Sequence, residues 1–240
     1  FIFYIDFLSG SLSGSPLPGG SSGRAMADAR EGPPRLRALA PQELSAPQAE
    51  LYGAIVAGAK DASGKPLKTR ADETTGALLG PFDAMLRSPQ VGRDLVRLAD
   101  TLRFGDLAVP QRVAEVVILY TARFHGAEYP FWSHAKIGKA AGLGEATIEA
   151  LRLRRWPEGL PPDEAAALRL AAELLDGRGP GAVSDEVYAG ASGALGERGV
   201  FEVVAISGFY STLSRIVNTF RVPVPGGEPR PFGGGAGSRL

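Results

Sequence analysis

Beyond residue 44 the apolar positions recur every three or four residues, the spacing of helices that bury one face. SAPQAELYGAIVAGAK (45–60) opens on Ser45, carries Pro47 in its first turn and sets Leu51, Ile55 and Ala59 on one side, which predicts a helix. GKPLKTRADETTGALLG (64–80) is a polar connector. PFDAMLRSP (81–89) predicts a short helix, and VGRDLVRLADTLRFGD (91–106) a longer one with Leu95, Leu98, Ala99 and Leu102 on one face.

After Pro110, QRVAEVVILYTARFHG (111–126) is apolar on nearly every side, as a helix enclosed by its neighbours must be. Gly126 breaks it. AEYPFWSHAKIGKAAGL (127–143) follows as a second helix, and Pro130, tolerated only near a first turn, places its start around 128–130. GEATIEALR (144–152) predicts another, as does PPDEAAALRLAAELLDG (161–177), with proline and acids at its start and glycine at its end. SDEVYAGASGALG (184–196) and VFEVVAISGFYSTLSRIVNTF (200–220) complete the series. The last is rich in β-branched residues, yet its length and its Leu213, Ile216, Val217, Phe220 spacing favour a helix. Asp176-Gly177 reads as a helix end rather than a hairpin, and no fixed repeat is evident. The expected class is all-α.

The ends of the chain differ from this pattern. FIFYIDFLSG is apolar but contains Asp6, lacks a basic stretch before it and is far shorter than a membrane span. We read residues 1–25 as a disordered upstream extension or appended segment, and 26–44 as a Pro-rich lead-in. Residues 45–225 are read as a single helical domain. Residues 226–240 are read as a flexible Gly/Pro-rich tail, a loose strap or disordered. With no recognisable export signal, the expected location is cytoplasmic.

Composition narrows the chemistry. The chain has 26 basic and 26 acidic residues and no basic stripe with interleaved aromatics, which argues against a nucleic-acid partner. No polybasic patch adjoins an apolar run, so no membrane partner is expected. Zero cysteine excludes a disulfide framework, a thiolate metal site, an iron–sulfur cluster and a cysteine nucleophile. With two histidines, His125 and His134, an imidazole-rich metal site is not expected either.

Two polar residues stand in apolar surroundings. Glu115 is the one charge in VAEVVILYTA (113–122), and a carboxylate on a buried face must find a partner or take up a proton. It reads equally as a proton-transfer group or as a structural ion pair with Arg112 or Arg123. His134 falls in the first two turns of its helix, on a stripe with Phe131, Ile137, Gly138 and Ala141. Helix dipole and apolar surround favour its neutral form there, which suits either acid–base work or a hydrogen-bonded core histidine. Glu128 and Tyr129 at that helix start read as substrate contacts or dipole partners, and Phe131 and Trp132 as core, subunit contact or cofactor platform. His125 reads as a solvated or capping residue. Arg215, Asn218 and Arg221 read as an anion site or a solvated helix end.

The run from GPFDAMLRSP through AEVVILYTARFHGAEYPFWSHAKIGKAAGL to NTFRVPVP resembles the carboxymuconolactone decarboxylase / alkyl hydroperoxidase (AhpD)-like superfamily, over about residues 45–225. In its redox branch a Glu, a Cys-x-x-Cys and a His work together. On this chain the Glu falls on Glu115 and the His on His134, while the cysteine positions fall on Ala127 and Pro130. Thiol-based peroxide reduction needs a thiolate and a resolving thiol, and neither is present. The resemblance therefore points to the cysteine-free, decarboxylase-like side. It implies a helical bundle and a cofactor-independent lyase or isomerase acting on a small carboxylated or lactone-type metabolite. In that reading His134 is the acid/base and Glu115 its orienter, with Arg123, Glu128, Tyr129 and Trp132 facing the substrate. The resemblance also implies a homo-oligomer, trimer or hexamer, with no cofactor and no metal. A peroxidase-type oxidoreductase and a non-catalytic binding or assembly protein are the competing expectations.

Overall fold

A computed structural model describes residues 32–58, 70–176 and 183–233. Among the described residues, a 3-10 turn at Pro41–Glu43 is followed by eight helices: α1 (Ala46–Gly58), α2 (Pro81–Met85), α3 (Pro89–Phe104), α4 (Gln111–Phe124), α5 (Glu128–Ala140), α6 (Glu145–Arg152), α7 (Pro162–Asp176) and α8 (Asp185–Phe220). Among the described residues there is no strand, only an isolated antiparallel bridge between Ala71 and Leu78. The all-α class expected from the spacing is observed.

Helix α4 sits at the centre because it has almost no polar side to show to water. All of Val113–Ala122 is buried, and α5, α7 and α8 pack around it. Helix α7 contributes Ala167, Leu168, Leu170 and Ala171, and α8 contributes Val203, Ile206, Phe209 and Tyr210 to the same core. Burial of such side chains is the main stabilising term in a bundle of this kind, of order 1.5–3 kcal/mol for each large one.

Three details depart from the spacing argument. Helix α2 ends at Met85, so Leu86–Ser88 form turns before α3 starts at Pro89. In α3 the buried positions are Gly92, Val96 and Leu102, and Leu98 is 42% exposed. The two last predicted helices are joined as α8, which bends where Gly196 adopts φ 69° and ψ 168°. A bend at a residue without Cβ is the usual way for a long helix to change direction. By length and composition α8 could cross a membrane, but 56% of its apolar stretch is buried inside the fold, as in a core helix.

The lead-in and the tail are both tied down. Arg35 N–H donates to Phe220 O at 2.9 Å, its guanidinium to Thr219 O at 3.0 Å, and Leu39 N–H to Asp83 Oδ1 at 2.9 Å. The expectation of a flexible tail from residue 226 is corrected for residues 226–233. Phe232 is buried at 7% exposure, and Glu228 and Arg230 are paired to α5. Ala59, residues 1–31, the first part of the 64–80 connector and residues 234–240 lie outside the described residues.

Candidate active site

Helices α4 and α5 form a tight antiparallel pair, and two glycines make it possible. At the end of α4, Gly126 takes φ 61°, and Ala127 N–H returns to Ala122 O at 2.8 Å, closing the helix and reversing the chain. Further along α5, a Cβ on Gly138 would lie 2.9 Å from Leu143 Cδ1 and 3.5 Å from Glu115 Cβ. The bare backbone there lets α5 approach α4 at the level of Glu115. His134, one turn before Gly138, is thereby aimed at the carboxylate.

The two meet. His134 Nδ1 lies 2.7 Å from Glu115 Oε2, with the residues 6% and 3% exposed. The other ring nitrogen is taken as well: Tyr210 Oη, from α8, is 3.2 Å from His134 Nε2, and the rings meet edge to face at 4.9 Å and 83°. Burial pushes the Tyr210 phenol above its ordinary range, Arg103 opposes the rise and Glu115 adds to it. The phenol therefore keeps its proton near neutral pH. A carboxylate can only accept, so a neutral ring facing Glu115 carries its proton on Nδ1 and donates it there, and Nε2 is left to accept from Tyr210 Oη. The result is a carboxylate–imidazole–phenol chain in which every polar atom of the ring is engaged.

Neither arginine weighed as a partner for Glu115 takes that role. Arg112 Nε reaches Glu164 Oε1 on α7 at 2.5 Å. Burial raises the Glu164 carboxyl, and Arg112 opposes that rise. Arg123 Nε–H donates to Arg152 O at 2.7 Å, and its guanidinium lies 4.2 Å over the Phe232 ring.

Of the residues expected to face a substrate, Glu128 and Trp132 of α5 and Arg123 near the end of α4 lie against the tail, and Tyr129 lies against Gly80. Glu128 Oε2 accepts from Arg230 Nε at 2.7 Å, and Trp132 Nε1–H donates to Glu228 Oε2 at 3.1 Å. Tyr129 stacks obliquely on Trp132 at 5.6 Å and packs over Gly80, and burial pushes its phenol up to about 12. So Glu115 and His134 come together, while Arg123, Glu128 and Trp132 gather around residues 228–232. His125 is the C-cap of α4 and half-buried rather than solvated, with Nε2 3.0 Å from Ser211 Oγ. Asn218 donates to His125 O at 2.9 Å, so it caps this helix end.

Sequence reasoning missed Tyr210. It lies on the buried stripe Val203, Ile206, Tyr210, Leu213, Val217 of α8, which also carries the buried Ser207 and Ser214. A polar atom on a core stripe was the signal that marked Glu115, and it was available here too. Among the described residues, no group of three or more His, Asp or Glu side chains is placed to hold a metal ion.

No protein-family model matches the chain, and no curated protein sequence does. Solved structures match it in shape. A peroxidase-related protein from Ralstonia eutropha, described as an alkylhydroperoxidase AhpD core, aligns with a TM-score of 0.62 at 14% identity, over 82% of this chain and 95% of its own. A protein of unknown function from Agrobacterium tumefaciens, provisionally described as an antioxidant defence protein AhpD, aligns at 0.53 and 16% identity, over 61% and 98%. A peroxidase-related protein from Silicibacter sp. aligns at 0.53 and 12% identity, over 60% and 75%. At these identities the likeness is one of fold, and the fold is AhpD-like.

Proposed function

We propose that the chain is a cofactor-independent lyase or isomerase that moves protons on a small carboxylated or lactone-type metabolite. The observation that carries this reading is the buried Glu115–His134–Tyr210 chain. His134 is the acid/base. Glu115 fixes its tautomer and stabilises the imidazolium that forms when Nε2 gains a proton. Because Nδ1 and Nε2 are both engaged, exchange with a substrate runs through the Tyr210 phenol. In the isomerase direction the phenol oxygen takes a substrate proton while its own proton passes to Nε2, and the reverse transfer returns it at a second carbon. In the lyase direction the electron pair of the bond to CO2 moves into the unsaturated substrate, the phenol proton is delivered to carbon, and the phenolate left behind takes a proton from solvent before the next turnover.

Peroxide reduction, suggested by the names of the fold neighbours, has less support. The sequence contains no cysteine, and the positions a thiol pair would fill are Ala127 and Pro130. Assembly into a trimer or hexamer belongs to the same proposal. It is supported by apolar side chains left open on two helices, Phe201 at 73% and Val204 at 41% on α8 and Phe104 at 53% on α3. A cytoplasmic location is proposed with it.

The test is turnover of a panel of lactone acids and unsaturated carboxylic acids. His134→Ala and Glu115→Gln should each lower turnover by at least ~10²-fold, and Tyr210→Phe by ~10-fold or more. Full turnover in His134→Ala would remove the assigned role. Robust peroxide consumption with a thiol reductant would move the protein to the oxidoreductase reading.

A further inference from the structure

We propose that residues Glu228–Phe232 are an intramolecular occupant of a ligand cleft on the outer side of α5, and that the cleft takes a small carboxylate carrying a planar apolar ring. The inference goes beyond the proton-transfer reading and does not depend on it, because it is tested by binding alone.

The tail displays the two chemical halves of such a ligand, each in a fitted place. Its carboxylate, Glu228, accepts from Trp132 Nε1–H at 3.1 Å through one oxygen and from Lys136 Nζ at 2.8 Å through the other. The Lys136 ammonium also lies 4.4 Å over the Trp132 ring, so the two donors support each other. Its ring, Phe232, is held between the Phe131 ring, at 5.0 Å and 63°, and the Arg123 guanidinium at 4.2 Å. Arg152 Nη1 donates to Pro231 O at 3.1 Å. Glu128 is the one acid among the cleft residues named, and Arg230 pairs with it.

The cleft belongs to the helices, and the occupant does not. Phe131, Trp132 and Lys136 stand on α5, Arg123 on α4 and Arg152 on α6, so these walls remain when the tail leaves. The tail has no regular structure, and it reaches the cleft through Gly226 and Gly227, the latter at φ 86°. The Lys136–Glu228 pair is exposed, with side chains at 56% and 37%, and a pair so screened by water contributes little; the Arg230–Glu128 pair is exposed on its arginine side, at 50% against 18%. One buried ring does most of the holding. Phe131, against which that ring packs, precedes His134 by three residues on the same helix, so the ring slot adjoins the turn that carries the candidate base.

The experiment uses the full chain, the Glu228→Ala/Phe232→Ala double variant and 4-phenylbutyrate as probe, with its neutral amide as control. Relieved of its internal competitor, the double variant should bind the acid at least ~10-fold more tightly than the unchanged chain. It should prefer the acid to the amide, and adding Lys136→Ala should weaken binding. In the unchanged chain, saturating probe should displace the Phe232 ring from its place between Phe131 and Arg123, read as a shift of the Phe232 ring resonances toward those of a solvent-exposed phenylalanine. Equal affinity in both proteins, no binding to the folded double variant, or probe bound with the Phe232 resonances unchanged would each overturn the inference. If the double variant does not fold, the Phe232 measurement on the unchanged chain decides.

Discussion

Helix α5 carries two acid–base contacts of nearly equal length on opposite sides. On the inner side His134 Nδ1 meets Glu115 Oε2 at 2.7 Å, and on the outer side Lys136 Nζ meets Glu228 Oε1 at 2.8 Å. Their surroundings differ completely: the side chains of the first pair are 7% and 3% exposed, those of the second 56% and 37%. Water screens the outer pair and keeps it cheap to break, whereas the inner pair lies where an unpartnered charge has nowhere to go. Distance alone ranks them as equals. Burial decides which is a candidate for chemistry and which is a fastening.

The largest effect expected from this contrast is on stability. Glu115→Ala leaves His134 Nδ1–H buried without an acceptor and should lower unfolding free energy by about 1–3 kcal/mol, measured by denaturant titration. Glu115→Gln keeps an acceptor oxygen and should cost clearly less. An alanine variant within about 0.5 kcal/mol of the unchanged protein would mean that the inner pair carries no more weight than a surface contact.

The outer pair should respond to acid, and only weakly. The bond from Lys136 and the bond from Trp132 hold the Glu228 carboxyl below the usual carboxylate range. A depressed pKa contributes stability that is fully present above the ordinary glutamate value and is lost as pH falls through the depressed one. The tail should therefore stay docked from about pH 7 to about pH 5 and loosen only in stronger acid. Trp132 fluorescence in a Trp156→Phe background reports this. Release on the neutral side of that window would show that some other group governs the docking.

The inner half of this contrast was legible in the sequence, and the outer half was not, for a physical reason. Glu115 and His134 were each conspicuous as polar atoms in apolar runs, and the Gly126 break placed their helices side by side. Leu98 fits a buried face by spacing alone because a three-four pattern is satisfied by more than one stripe on a short amphipathic helix. The stripe through Gly92, Val96 and Leu102 is the buried one. Tyr210 escaped notice because a tyrosine in a core stripe looks like any large apolar residue until its hydroxyl finds a partner 76 positions away. The tail misled for a related reason. Its glycines and prolines describe local freedom, while its order comes from Glu128, Trp132 and Arg123, about a hundred residues earlier. Partners so far apart in the chain leave no periodic trace.

The most direct test of the inner contact is nitrogen NMR of the His134 imidazole. The account predicts a protonated Nδ1 that exchanges slowly with solvent and an unprotonated Nε2, with Glu115→Gln perturbing the first and Tyr210→Phe the second. A ring protonated on Nε2, or one that exchanges freely with water, would contradict it.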